Sequence, residues 1–280
     1  MSKVIFITGS SSGLGLELVK AALSQGHRVA ATLRQPKDFP QSLLTEHADS
    51  LKTFPLDVTN KDQVDSALKA TVEAFGKIDI IVNNAGWTVM GEFETMPEDL
   101  ARKQFETVFW GTINVLKESI PLLRKQGGGK IVTVSSMVGL GGGLPLLSFF
   151  AAAKSGVEAV IDSVQAEMSP DWNIELRVVE PGGFKTEAMN KAGFVPPVAP
   201  YNAPDHPMTH FRNSFAGGTL GDASKAAQTI LKFSSLEASP DVAKPARLVI
   251  GQDGIGYVDA RLDGLKKQLA AWKDLAAEAS

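Results

Sequence analysis

The chain has 280 residues, 44% of them apolar, and a formal net charge of −3. That size supports one large core without staples, and the mild acidity argues against a nucleic-acid partner or an anionic membrane surface. Without a cysteine, disulfides, thiolate metal sites and a cysteine nucleophile are excluded.

The opening "MSKVIFITG" carries an apolar run too short for a signal peptide, and no later stretch reaches spanning length, so a soluble, cytoplasmic protein is expected. "KVIFI" (3–7) is a continuous, β-branched apolar run, the pattern of a strand buried on both faces. "LGLELVKAALSQG" (14–26) has helical spacing and stops at Gly26. Residues 28–34 read as the second strand and 51–59 as the third. "KDQVDSALKATVEAFG" (61–76) is an amphipathic helix closed by glycine, and 78–86 is the fourth strand running into a turn. A long helical region follows at 98–126, then a strand at 129–136, a helix at 151–168, a strand at 174–183 and a short last strand at 247–251. This alternation predicts an α/β fold, a doubly wound parallel sheet of Rossmann type in a single domain spanning 1–280. Residues 185–218 carry five prolines and no clear periodicity, which marks a lid or substrate loop. The tail, 260–279, reads as an amphipathic helix with a solvated outer face.

"TGSSSGLG" (8–15) joins the first strand to the first helix. In that context Gly9 allows the tight turn, Gly13 allows backbone to approach a diphosphate, and Gly15 allows the helix to pack close to the sheet. Phosphates would meet free N–H groups at the helix N-terminus, in the turn through Ser11, Ser12, Gly13 and Leu14. The second strand ends "ATLR", with no carboxylate to bind a ribose 2′-hydroxyl. Arg34 stands there instead and suits a 2′-phosphate, with Thr32 or Ser10 and Ser11 as added hydroxyl donors, so NADP(H) is the expected cofactor.

The TGxxxGxG spacing, "NNAG" at 83–86, a serine ending the fifth strand and Lys154 together resemble the short-chain dehydrogenase/reductase family. "DV" at 57–58, "PGGFKT" at 181–186 and "GDASKAA" at 221–227 follow in that family's order. The resemblance implies strand order 3-2-1-4-5-6-7 and a nicotinamide cofactor. It implies further that Asp57 binds the adenine amine and Val58 lies against its ring. Asn84, Ala85 and Gly86 would border the ribose, and Pro181, Gly182, Phe184 and Thr186 the nicotinamide. It leaves open a homo-oligomer paired through the helices near 98–126 and 151–168.

The family's chemistry uses a tyrosine as proton donor, a lysine that lowers its pKa and holds ribose, a serine on the substrate oxygen, and an asparagine that holds a relay water. Ser135 and Lys154 match the serine and lysine positions. The tyrosine position, four before the lysine, is Phe150, and the asparagine position aligns with Val108. Phenylalanine neither donates nor accepts a proton. Three explanations stay open: a Tyr→Phe change that disables a reductase; a natural repurposing in which Ser135 and Lys154 catalyse isomerisation or cyclisation; and a nucleotide-binding regulator without chemistry. The other tyrosines are Tyr201, in the long loop, and Tyr257, near the tail. Trp87, Met90, Phe149, Phe194 and Phe211 are candidates to line an apolar cavity for a small apolar or aromatic substrate. His206 and His210 flank Pro207 with no evident third ligand, so no metal is expected.

Overall fold

The computed structural model describes residues 2–186, 193–216, 220–237 and 244–279. Seven strands form one all-parallel sheet: β1 (Val4–Thr8), β2 (Arg28–Leu33), β3 (Leu51–Pro55), β4 (Ile80–Asn83), β5 (Gly129–Val134), β6 (Ile174–Pro181) and β7 (Ala246–Ile250). Their order is 3-2-1-4-5-6-7, as the resemblance implied. The order reverses between β1 and β4, which opens a crevice at their carboxyl ends.

Successive side chains of β1 go to opposite faces, and both faces are covered. Val4 and Phe6 pack with Ile81, Ile131 and Val178 under α3 (Lys61–Phe75), α5 (Gly111–Gln126) and α7 (Ser148–Glu167). Ile5 and Ile7 pack with Val82, Val132 and Val179 under α1 (Gly13–Ser24) and a helix at Ala223–Ser235. This is why the central strands read as unbroken apolar runs.

The helix ends have local causes. At α3 the Asn60 side chain accepts from the Gln63 N–H at 3.1 Å, and Gly76 closes the helix at φ 85°. Asp222, in the "GDASKAA" block, accepts from the N–H groups of Ser224 and Lys225 and so starts Ala223–Ser235. The helical region at 98–126 is α4 (Glu98–Phe105), a π-helical turn (Glu106–Trp110) and α5 in line.

Several boundaries differ from the sequence reading. β3 stops at Pro55, not at residue 59, because Asp57 folds back to accept from the N–H and hydroxyl of Thr59. α7 begins at Ser148, so Phe150 and Lys154 lie one turn apart on the same helix. The segment at 185–218 is not wholly aperiodic: Pro207–Ala216 is helical, while 187–192 and 217–219 lie outside the described residues. The tail helix starts eight residues earlier than expected, at Gln252, and runs to Ala271, followed by a short turn of helix at Lys273–Ala277.

Candidate functional site

The glycine turn sits at the crevice between β1 and β4. Gly9 has φ +69°, and a Cβ there would stand 2.8 Å from the Ala85 Cα. A Cβ on Gly15 would collide with the Gly9 carbonyl. Both glycines therefore serve close packing, and Gly13, at φ +57°, opens α1. "NNAG" is the brace of this turn. The Asn84 and Ala85 N–H groups donate to the Thr8 hydroxyl at 2.9 Å each, and the Asn84 side-chain amide donates to the Thr8 carbonyl at 2.9 Å. Gly86 follows at the exposed end of the crevice.

Ser12 is the N-cap of α1 in extended conformation, yet its side chain caps no N–H. Among the described residues the first-turn amides are thus left open to a ligand. A cavity of about 560 Å³ begins here at Gly13 and Leu16 and reaches Thr186, Gly221 and Ser224. Leu14 packs toward the second core cluster. These features fit the diphosphate of a dinucleotide: open amides, a left-handed glycine and a cleft across the strand switch point.

Around this cleft some expectations need revision. Arg34 is exposed just past the end of β2 and forms no ion pair among the described residues. Ser11 is also exposed. Ser10 and Thr32, however, are fully buried and both hydroxyls donate inward to the Ile7 carbonyl, at 2.8 and 3.0 Å. They brace the turn and have no proton left for a 2′-phosphate. The Val58 side chain is buried against Gly111 rather than open to an adenine ring. Asp57 keeps one carboxylate oxygen on Thr59. On the far side Pro181 ends β6, the Gly182 N–H donates to the Ile250 carbonyl at 2.8 Å, and the Phe184 ring lies against Gly221.

Lys154 is buried and donates to the Val134 carbonyl at 2.7 Å, with Nζ 5.7 Å from the centre of the Phe150 ring. Burial lowers its pKa to about 8, against the pull of Glu158 one turn on. Phe150 is half-buried in a small apolar cluster with Val138, Leu146 and Ala151. Val108 is fully buried in the π-helical turn, and a Cβ on Gly86 would stand 3.9 Å from its Cγ2. No hydroxyl or amide stands at either position.

Ser135 differs from expectation. It is buried, and its hydroxyl donates to the Glu158 carboxylate. Ser136 is the neighbouring half-buried hydroxyl. It accepts a long 3.4 Å bond from the Val138 N–H at the start of α6 (Met137–Gly141), and its own O–H has no acceptor among the described residues. The doublet "SS" was a visible signal, but spacing alone does not tell which serine turns inward.

Glu158 belongs to a charge cluster, buried at Glu158 and Glu180 and open to solvent at Asp162, that sequence reading missed. Arg247 on β7 donates to Glu158 at 2.6 Å, to Glu180 at 2.8 Å and to both oxygens of Asp162 at 2.7 and 2.9 Å. One guanidinium thus serves three carboxylates. The second oxygen of Glu180 is buried without a hydrogen-bond partner among the described residues. Burial, then repulsion from Glu158, pushes the Glu180 pKa up to about 7. The signal lay in three acids and one arginine on separate elements, which pattern reading does not join.

A cavity of about 580 Å³ adjoins the Phe150 cluster, lined by Phe93, Leu144, Leu146, Ala151, Tyr201 and Met208 among others. None of the five residues expected to line it does so. Met90 and Phe211 pack in the cluster, Phe149 stacks on Phe93 at 5.5 Å, Trp87 donates to the Thr107 hydroxyl at 3.1 Å, and Phe194 is exposed. The Tyr201 hydroxyl shares a hydrogen bond with Glu94, which raises its pKa. The Tyr257 hydroxyl donates to the Gly142 carbonyl. The helix Pro207–Ala216 is tied down by Arg212, which grips the buried Glu92 carboxylate at 2.6 Å on both oxygens. His206 accepts from the Met208 N–H, and no metal-holding group of three ligands occurs among the described residues. A larger cavity of about 670 Å³ lies at the opposite, amino ends of the strands, among Lys3, Asp79 and Lys130. No helix among the described residues is long and apolar enough to cross a membrane.

The short chain dehydrogenase family model matches residues 3–193. The chain is 35% identical over 280 residues to the oxidoreductase BOA17 of Botryotinia fuckeliana, covering 98% of each chain. It is 34% identical over 267 residues to an uncharacterized oxidoreductase, C162.03, of Schizosaccharomyces pombe, covering 95% of this chain and 87% of that one. A short-chain dehydrogenase from Streptomyces avermitilis superposes with a TM-score of 0.86 at 28% identity, covering 100% of this chain and 98% of that one.

Proposed function

The chain belongs to the short-chain dehydrogenase/reductase family of oxidoreductases, and we propose that it binds NADP(H) for carbonyl reduction or alcohol oxidation on a small apolar or aromatic molecule, with the proton-donor position disabled by Phe150. The observation that carries this reading is the pair on α7. Lys154 stands over a ring at the place where the chemistry needs a phenol, and that ring has no hydroxyl. The nicotinamide cofactor, when bound, supplies the hydride.

The rest falls to this chain's residues. The open amides of Ser12, Gly13 and Leu14, behind the turn at Gly9 and Ser11, hold the diphosphate. Arg34 takes the 2′-phosphate, which its free guanidinium suits. Asp57 and the Val58 backbone take the adenine. Asn84, Ala85 and Gly86 form the ribose wall, and Pro181, Gly182, Phe184 and Thr186 the far wall. Lys154 holds the ribose and sets the local charge. Ser136, whose proton is uncommitted, takes the substrate oxygen in place of Ser135, whose proton is engaged by Glu158. The cavity beside Phe93, Leu144 and Tyr201 receives the substrate, and its apolar walls favour an apolar one. The segment 193–216 covers it as the substrate loop.

A second reading is favoured by Val108. A buried valine at the relay position, as well as the missing phenol, suits a fold repurposed for isomerisation or cyclisation in which the dinucleotide is retained. Titration calorimetry with NADPH and NADH tests the cofactor assignment. NADPH should bind more tightly, and Arg34→Ala should cost it roughly 10- to 100-fold while sparing NADH. Equal loss for both cofactors would refute the role of Arg34, and no uptake of either would refute the whole reading.

A further inference from the structure

The helix Gln252–Ala271 begins on the body of the protein and then leaves it. Gly254 and Val258 are buried, Val258 at 5% exposure, and the Tyr257 ring packs on Gly141. From Asp259 to Ala279 every residue except Gly264 is exposed. A free-standing helix of this length is marginal in water, because helices gain most of their stability from packing one face. The helix continues through Trp272 into Lys273–Ala277, since the Trp272 N–H still donates to Gln268 at 3.2 Å and its carbonyl accepts from Ala276 at 2.9 Å.

The exposed part has an apolar face. Leu262, Leu265, Leu269 and Trp272 follow one another at steps of three, four and three residues, and are 41%, 40%, 76% and 63% exposed. That alternation is the a/d seam of a coiled coil, with Leu262 and Leu269 at a, Leu265 and Trp272 at d. Asp259, Lys266 and Lys273 then fall at the flanking e positions, Arg261 and Gln268 at g.

We propose that this stripe pairs with the same stripe of a second copy, antiparallel about a two-fold axis near residue 267. The charges select that partner and that direction. Antiparallel layering sets Leu262 on Trp272 of the second copy and Leu265 on its Leu269. It brings Asp259 to Lys273 of the second copy twice, by symmetry, and Gln268 to its equivalent. The one like-charged meeting, Lys266 with Lys266, is softened by Asp263, 3.7 Å from Lys266 in the same helix. Parallel pairing would instead set Arg261 against Lys266 of the second copy twice, with no opposite pair to offset it. An antiparallel pair also places the two bodies at opposite ends, where they do not compete for space.

The contact is separate from the dinucleotide cleft, so its test does not depend on the proposed activity. Light scattering should give the wild type twice the particle mass of Leu265→Asp/Leu269→Asp. The thermal midpoint of the body should not change, because neither residue packs on it. Asp259→Lys and Lys273→Asp should each weaken association, since each sets like charges opposite one another twice. Mixed in equal amounts, the two should restore it as a heterodimer. An unchanged mass for the double aspartate variant would overturn the proposal, as would a mixture that associates no better than its components. A wild type that stays monomeric at every concentration would also overturn it; sedimentation of that monomer with anionic vesicles would assign the stripe to a lipid surface.

Discussion

Phe150→Tyr adds a single oxygen, and the structure sets what it should do. Lys154 Nζ stands over the ring at 5.7 Å from its centre, so a phenol oxygen on that ring would lie on the order of 6 Å from the ammonium. At an effective dielectric near 20, a unit charge at that distance is worth about 2.6 kcal/mol, which lowers the phenol's pKa below that of a free tyrosine while Lys154 stays charged. Lys154 itself is held at about 8 by burial. Lys154 is therefore largely charged near pH 7, the state in which it draws on the phenol that reduction needs as donor. A positioned general acid is worth about 10²- to 10⁴-fold, or roughly 3–5 kcal/mol of barrier. With Val108 in the relay position, the lower end of that range is expected for Phe150→Tyr alone, and Phe150→Tyr/Val108→Asn should gain more. NADPH oxidation followed at 340 nm over a panel of apolar and aromatic ketones reads the gain. The rate should hold near pH 7 and fall at higher pH as the phenol ionises. A correctly folded Phe150→Tyr variant that binds NADPH yet reduces no ketone faster than the parent would refute the disabled-reductase reading and favour repurposing.

Once a reporter reaction exists in the Phe150→Tyr background, Ser136→Ala should lower kcat about 10²-fold through loss of a hydrogen bond to the developing oxyanion, with little change in thermal midpoint. Ser135→Ala should do the reverse, lowering the midpoint by leaving Glu158 short of a donor; a large kcat effect at Ser135 alone would return the role to it. Glu180 has a folded pKa of about 7, above its unfolded value of 4.5. Its favourable contribution is therefore complete below pH 4.5 and is lost as pH rises through 7, a change on the order of 3 kcal/mol at most. Chemical denaturation at pH 6 and pH 8 should show that fall, and Glu180→Gln should flatten it; equal slopes in both proteins would show that Glu180 is not the titrating group.

The strands and the glycine turn were legible in the sequence because each is a local signal, whereas the strand order came only from the resemblance of the motifs taken together. Continuous apolar runs mark strands covered on both faces, glycine spacing marks where backbone must approach closely, and the residue four before a lysine on a helix shares its face. The chain alone also showed an arginine, Arg34, and no carboxylate at the end of the second strand. What it could not tell was the direction of side chains whose partners are distant in sequence. Ser135 and Ser136 are equivalent as letters; Glu158, 23 residues on, decides which one keeps its proton. Ser10 and Thr32 look like surface hydroxyls until both are found on the Ile7 carbonyl. Arg247, Glu158, Glu180 and Asp162 come together only when α7, β6 and β7 are packed side by side. The tail's apolar spacing was likewise visible as a helix pattern, but only the fold determined that this face finds no surface among the described residues of its own chain, since a periodic stripe does not record what packs on it.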